Sequence, residues 1–150
     1  MEDLFIIKIG GETIDNTKAL ENCLCTIAQS GKKIILIHGG GKKVTELAAK
    51  LGLEQKMVNG RRITSAETME LCTMIYAGLL NKTIVAKLAS ESKTAIGLSG
   101  ADLNCIISEK RKNTEIDYGF VGDIKLVNHN IFNDFISKNI IPVVCAVSLS

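Results

Sequence analysis

The stretch IILIHGGGKKVTEL, residues 34–47, has three parts: an apolar run ending at His38, three consecutive glycines, and a polar opening before Val44 and Leu47. An apolar run closed by glycine reads as a buried strand, and the residues after the glycines take up helical spacing. IIKIGGETID, residues 6–15, has the same grammar, with Lys8 embedded in the run before Gly10 and Gly11. Two strand–turn–helix units in succession begin a βαβα series, which requires a parallel sheet covered by helices.

Outward from these two units the pattern continues. Leu4–Ile9 is expected to be a buried strand. Leu20, Cys23, Leu24, Ile27 and Ala28 form a helix face stopped by Gly31. Lys33–Ile37 is a second buried strand, and Val44, Leu47, Ala48 and Leu51 form the next helix face, ended by Gly52. Residues 53–64, LEQKMVNGRRIT, break the rhythm with a basic segment around Asn59-Gly60, a tight hairpin signal, and are placed to act as a lid beside the glycines. A long helix is predicted from Ser65 to about Ser92, with Ser65 as its cap and Glu67 or Thr68 supporting its first turn. Its apolar positions, Met69, Leu71, Cys72, Ile75, Leu79, Leu80, Val85 and Leu88, cover more than one side, as in a central helix or one shared with another subunit. Strands at Thr94–Leu98 and Asn104–Ser108, a pair around YGFVGDIKLV (118–127), a helix near Ile131–Ser137 and a last strand at Ile140–Val147 complete the series. Pro142 must lie at the beginning of that last strand or on an edge.

Composition bounds the class. The chain has 150 residues, 46% hydrophobic and 4% aromatic, with one proline, as expected for a single soluble α/β unit able to bury a core without disulfides or metals. Its five cysteines are odd in number, form no CxxC pair and have no zinc-ligand spacing, so they read as small buried hydrophobes in a reducing compartment. The acidic start, MEDLFIIK, does not make a signal peptide, and no segment is expected to reach transmembrane length, IIPVVCAV being far too short. A cytoplasmic location follows as an expectation. The net charge of +2 is scattered apart from Lys110, Arg111 and Lys112, which read as a solvated turn, so no nucleic-acid footprint is expected.

In an open parallel sheet, ligands bind where loops leave the carboxyl ends of the strands. Both glycine clusters occupy such ends, and N–H groups at a helix start can receive an anion, here a phosphoryl group or a carboxylate. The common phosphate motifs do not fit. Lys42-Lys43-Val44 follows Gly41 where a Walker A sequence needs Lys-Ser/Thr, and Val44 stands where a dinucleotide fingerprint needs glycine. HGGG without a G-x-S-x-G elbow does not make an esterase. Lys8, in an apolar strand two residues before Gly10, points to the same anion as the glycines. Arg62, in the basic lid, is suited to clamp a carboxylate bidentately, whereas Arg61 reads as exposed and His38 as a residue fixing the loop.

The segments IIKIGG, IILIHGGGKKVTEL, VNGRRITSAETME, LLNKTIVAKL, AIGLSGADLN, YGFVGDI and IIPVVCAV resemble, in order and approximate spacing, those of the acetylglutamate kinases of the amino acid kinase superfamily. NGRRIT after the HGGG helix is the most specific of them. The resemblance implies a three-layer αβα sandwich with a mainly parallel central sheet, the amino-terminal half of the amino acid kinase fold. It implies transfer of the γ-phosphoryl group of ATP, with magnesium, to the side-chain carboxylate of an N-acylglutamate in arginine biosynthesis. By position it makes Lys8 the catalytic lysine, Gly40, Gly41 and Arg62 substrate-binding, and Gly10 and Gly11 the phosphate side, with no protein metal ligand. It also implies a homodimer built on helix 65–92.

Three departures shape these expectations. SGADLN at 99–104 stands where many relatives carry a lysine and paired glycines, leaving acetyl and succinyl as alternatives on the glutamate nitrogen. The first strand begins by Leu4, without the preceding helix of arginine-inhibited relatives, so arginine insensitivity is expected. The chain ends after the strand that precedes the family's asparagine and aspartate motif and lacks the nucleotide half. A non-catalytic module that binds an amino acid stands as the alternative of a different class. Residues 1–150 alone are expected to show no kinase turnover, and robust activity of the purified fragment would contradict this.

Overall fold

Strands rich in Ile, Leu and Val that alternate with helices leave both sheet faces apolar, and the helices cover them. The computed structural model describes residues 3–112 and 115–148; Met1 and Glu2, which open the acidic start, lie outside them. Its elements are β1 (Leu4–Ile9), α1 (Gly11–Asp15), α2 (Thr17–Gln29), β2 (Lys33–His38), α3 (Gly41–Lys50), β3 (Met57–Val58), β4 (Arg61–Arg62), α4 (Ala66–Ser90), β5 (Ala95–Leu98), β6 (Ile106–Lys110), β7 (Gly122–Val127), α5 (His129–Ser137) and β8 (Ile141–Cys145). The main sheet has the order β1-β2-β8-β5 and is parallel throughout. The chain has an α/β fold.

Strand alternation sorts the core into two layers. Ile34, Leu36 and Val143 face one side, packed with Leu24, Val44 and Leu88 of α2, α3 and α4; Ile35, Val144 and Leu98 face the other, packed with Phe132 of α5. Helices therefore lie on both faces, in the three layers expected. Ser65 caps α4, its hydroxyl accepting from the Thr68 N–H at 3.2 Å, and Asn59-Gly60 turns the β3–β4 hairpin with both residues at positive φ. Pro142 is the second residue of β8, ahead of the residues paired with β2.

Several expectations need correction. β1 is an edge strand, and Leu4, Phe5 and Ile6 are 45, 44 and 65% exposed, because only its β2 side is paired. An apolar run predicts strand but not its position in the sheet. Leu51 falls past the end of α3 and is exposed, so the second helix face closes at Ala48. The strand at Gly122–Val127 pairs antiparallel with β6, not with a neighbour inside its own segment. Lys110 belongs to β6 and pairs with Asp117 at 2.9 Å, while Arg111 holds Asp123 through two nitrogens, so this basic run is a hairpin edge and not a free turn. α4 is long and apolar enough, by length and composition alone, to cross a membrane, contrary to expectation. Here it is the core helix, burying Leu71, Ile75, Ile84 and Leu88. Cys72, Cys105 and Cys145 are buried, whereas Cys23 and Cys25 are half-buried; all five are free thiols.

The two hairpins are joined at one point. The Thr64 N–H donates to the Tyr118 carbonyl at 2.9 Å, and the Phe120 N–H donates to the Thr64 carbonyl at 2.8 Å. Gly119 between them has φ +72°, and a Cβ there would lie 2.2 Å from the Thr64 carbonyl oxygen. Gly119→Ala is therefore expected to lower stability by about 2 kcal/mol or more, read as a lower urea midpoint, because it combines positive φ with a clash against backbone. An unchanged midpoint would mean that this junction does not hold in solution.

Candidate functional site

Ile9 and His38 are partners in the parallel register of β1 and β2, so Gly10-Gly11 and Gly39-Gly40-Gly41 leave the same end of the sheet side by side. α1 and α3 start immediately after them. Among the described residues, the N–H groups of Gly11, Gly40 and Gly41 donate to no protein acceptor, as expected at helix starts. Gly40 has φ +146°, and a Cβ there would lie 2.1 Å from Leu80 Cδ1 and 3.4 Å from the Tyr76 ring. Only glycine lets α4 pack so closely on this turn.

That approach comes from an irregularity in α4. Its middle, Thr73–Leu80, is wound as π-helix between α-helical ends. Such windings are rare and recur at functional sites. Here the segment presents Tyr76 and Leu80 together to Gly40.

Arg62 stands over the first turn of α3. Its Nη2 donates to the Gly41 carbonyl at 2.8 Å and to Thr45 Oγ1 at 2.9 Å, and its Nη1 donates to Gln55 Oε1. Gln55 Nε2 in turn donates to Thr68 Oγ1 at 3.2 Å, tying the guanidinium to the start of α4. These acceptors are neutral, and no carboxylate among the described residues is paired with Arg62. Its charge is held in place without a counter-ion.

Arg62 lines a cleft of about 700 Å³ between the β3–β4 hairpin, α4, the β6–β7 hairpin and the segment after β8. Arg61 and Lys110 line it too, as do Cys72, Tyr76 and Tyr118. Burial, followed by the adjoining Cys72 thiol, raises the Tyr76 pKa, although Arg62 opposes the shift; the phenol stays protonated and available as a donor. Burial likewise raises the Cys72 thiol, which leaves it unreactive.

Lys8 occupies a different place from the one anticipated. It is exposed on the edge strand, so no cost of burying an ammonium arises there. Its Nζ lies 3.9 Å from the position a Gly10 Cβ would take, and no acidic partner among the described residues holds it. The structure thus groups Lys8 with Gly10, and Arg62 with Gly41, at one sheet end; neither Lys8 nor either glycine turn lines the Arg62 cleft, which the second turn meets only through the Arg62 bond to the Gly41 carbonyl.

His38 is 1% exposed. Its Nδ1 lies 3.0 Å from the Gly39 carbonyl and its Nε2 lies 3.1 Å from Asn81 Nδ2; burial lowers its pKa, partly offset by the Gly39 contact. Gln55, Thr45, Tyr76 and Asn81 escaped the sequence reading. Asn81 alone left a signal there, as a polar residue at a buried phase of an apolar helix. Among the described residues no group of three or more His, Cys, Asp or Glu side chains is placed to hold a metal ion, so the residues here do not form a site for the implied magnesium.

The chain is 47% identical over 148 residues to the acetylglutamate kinase of Parabacteroides distasonis, covering 99% of this chain and 58% of that protein. It is 50% identical over 149 residues to the acetylglutamate kinase of Cytophaga hutchinsonii, covering 99% and 56%. The chain thus spans less than three-fifths of the length of these relatives. In fold it is similar to a Streptococcus mutans protein (TM-score 0.82, 24% identity, 97% of this chain and 59% of that one). It is also similar to Neisseria gonorrhoeae N-acetylglutamate synthase, solved with coenzyme A and N-acetylglutamate (TM-score 0.81, 18% identity, 98% and 34%). Residues 3–148 match the amino acid kinase family, and the chain belongs to that family.

Proposed function

We propose that this chain is the acylglutamate-binding part of an acetylglutamate kinase, which phosphorylates the side-chain carboxylate of N-acetyl-L-glutamate to N-acetylglutamyl 5-phosphate with ATP, in arginine biosynthesis. The observation that carries the reading is the Arg62 guanidinium, fixed by neutral acceptors, without a carboxylate partner, in a cleft beside a glycine turn. A substrate α-carboxylate supplies the missing charge, and the fixed geometry limits the ordering cost of binding it. The relatives named acetylglutamate kinase support the same substrate.

In this reading a side-chain carboxylate oxygen attacks the γ-phosphorus, the bond to the β–γ bridging oxygen breaks, and ADP leaves with that electron pair. The nucleophile is already an anion, so no general base is required. The difficulty is repulsion between two anions. Gly40 and Gly41 meet the reacting group with backbone N–H donors, Gly10 and Gly11 line the phosphate side, and Lys8 offsets charge in the transition state. Magnesium would arrive with the nucleotide phosphates, and the nucleotide site belongs to sequence outside these residues. The enzyme is taken to be cytoplasmic and homodimeric through helix 65–92, on which Met74 and Leu79 are 59 and 56% exposed.

A second reading, N-succinylglutamate, is favoured by Arg61 and Lys110 in the same cleft, where a carboxyl-ended acyl group would meet them. Assay of the full-length protein with both acylglutamates decides between them, and turnover of neither, with ligand binding retained, would make the chain a binding module. In the active protein, Lys8→Ala is expected to lower kcat by about 100-fold or more with KM nearly unchanged. Arg62→Ala is expected to raise the acylglutamate KM by about 10- to 100-fold while sparing the KM for ATP; an unchanged acylglutamate KM would point to another acceptor in this family. Light scattering should give the mass of a dimer, and Leu79→Asp should shift it to a monomer.

A further inference from the structure

Asn81 is an amide in the interior of an apolar helix, 1% exposed, at the junction where α4 returns from π- to α-winding. A buried amide must place both donors and its acceptor, and here it does. Its Nδ2 donates to the Val143 carbonyl of β8 at 2.9 Å and lies 3.1 Å from His38 Nε2 at the end of β2. Its Oδ1 accepts from Lys82 Nζ at 3.3 Å, and Lys82 also donates to the Gly97 carbonyl of β5 at 3.2 Å. A Cβ on Gly97 would fall 1.7 Å from Asn81 Oδ1, so β5 leaves space for this one side chain.

The direction of every bond follows from chemistry. An ammonium only donates, so Oδ1 must face Lys82, and Nδ2 must face Val143 and His38. His38 Nε2 is then an acceptor, and the ring proton sits on Nδ1, where it donates to the Gly39 carbonyl. In a trans peptide the carbonyl and the next N–H point to opposite sides. Drawing the Gly39 oxygen back to His38 turns the Gly40 N–H away from it, and among the described residues that N–H has no protein acceptor.

We propose that Asn81 is a positioning residue: acting through His38, it fixes the Gly39–Gly40 peptide so that the Gly40 N–H is aimed at the reacting anion. This rests on the kinase reading above for the identity of the anion, but the anchoring is a property of the fold. Protonating His38 would set an N–H against the Asn81 N–H, so the network favours the neutral ring.

The test uses the full-length protein in two parts. Long-range 15N–1H spectra of the imidazoles, with the His38 signals assigned by their loss in His38→Gln, should show the Nδ1–H tautomer for His38. In Asn81→Ala that tautomer should give way to a mixture, and in Asn81→Asp to a ring protonated on Nε2. In turnover assays, Asn81→Ala and His38→Gln should each lower kcat by about 10- to 100-fold with the KM for ATP little changed. The double variant should be no worse than either single one, since both act through one peptide. His38→Asn, which keeps a donor near the Nδ1 position, should recover most of the rate.

An Nε2–H tautomer in the unsubstituted protein overturns the proposal even if the Asn81 variants fail to fold. So do a tautomer unmoved by Asn81→Ala and Asn81→Asp, or multiplicative losses in the double variant. The expected tautomers together with no turnover by the unsubstituted protein would sink the kinase reading and leave the anchoring in place.

Discussion

The parallel register of β1 and β2 is the constraint on which the rest of the site depends. Because Ile9 stands opposite His38, both strands end at the same height and each releases a glycine turn into a helix. A slip of one residue would turn every side chain of one strand to the other face and separate the two turns. The buried alternation of β2, with Ile34 and Leu36 on one side and Ile35 on the other, holds that register from within. The two turns share one edge of the fold because the cores on both faces fix it.

Among the described residues, Arg62 and Lys8 have no acidic partner. Arg62 could have been neutralised by a glutamate on α3 or α4, which would have fixed it at least as firmly. Instead its partners are a carbonyl, a hydroxyl and an amide. Neutral acceptors orient a guanidinium without quenching its field, so most of the Coulombic gain remains for a ligand. Lys8 follows the same logic with less restraint, lying exposed above Gly10. One cation is held by three acceptors and the other stands exposed on the edge strand beside Gly10.

Much of this was legible in the sequence because glycine clusters and apolar runs are local signals. The order of strands and helices, the hairpin at Asn59-Gly60 and the Ser65 cap all follow from such signals. What the sequence hid depends on partners far along the chain. Leu4, Phe5 and Ile6 look buried because apolarity says nothing of sheet position. Gln55 and Thr45 look like ordinary surface residues until Arg62 is placed between them. The π-winding over Thr73–Leu80 leaves no periodic mark, because its residues are apolar on nearly every side. Lys8 looks buried because its run is apolar, whereas it is exposed, and the structure keeps only its position next to Gly10.

Gly40, Gly97 and Gly119 are among the points where neighbouring segments approach too closely for any side chain. Gly40 admits Leu80 and Tyr76, Gly97 admits Asn81, and Gly119 admits the Thr64 carbonyl. The first two contacts come from consecutive positions of one helix, Leu80 and Asn81, acting on the ends of two strands that are not adjacent in the sheet. α4 therefore does more than cover the core. By touching the β2 turn directly through Leu80 and indirectly through Asn81 and His38, it bears on both the height and the orientation of the Gly39–Gly40 peptide. A shift of α4 along its axis would alter both at once, so the geometry of the second glycine turn is coupled to whatever packs on the exposed side of that helix, where Met74 and Leu79 lie.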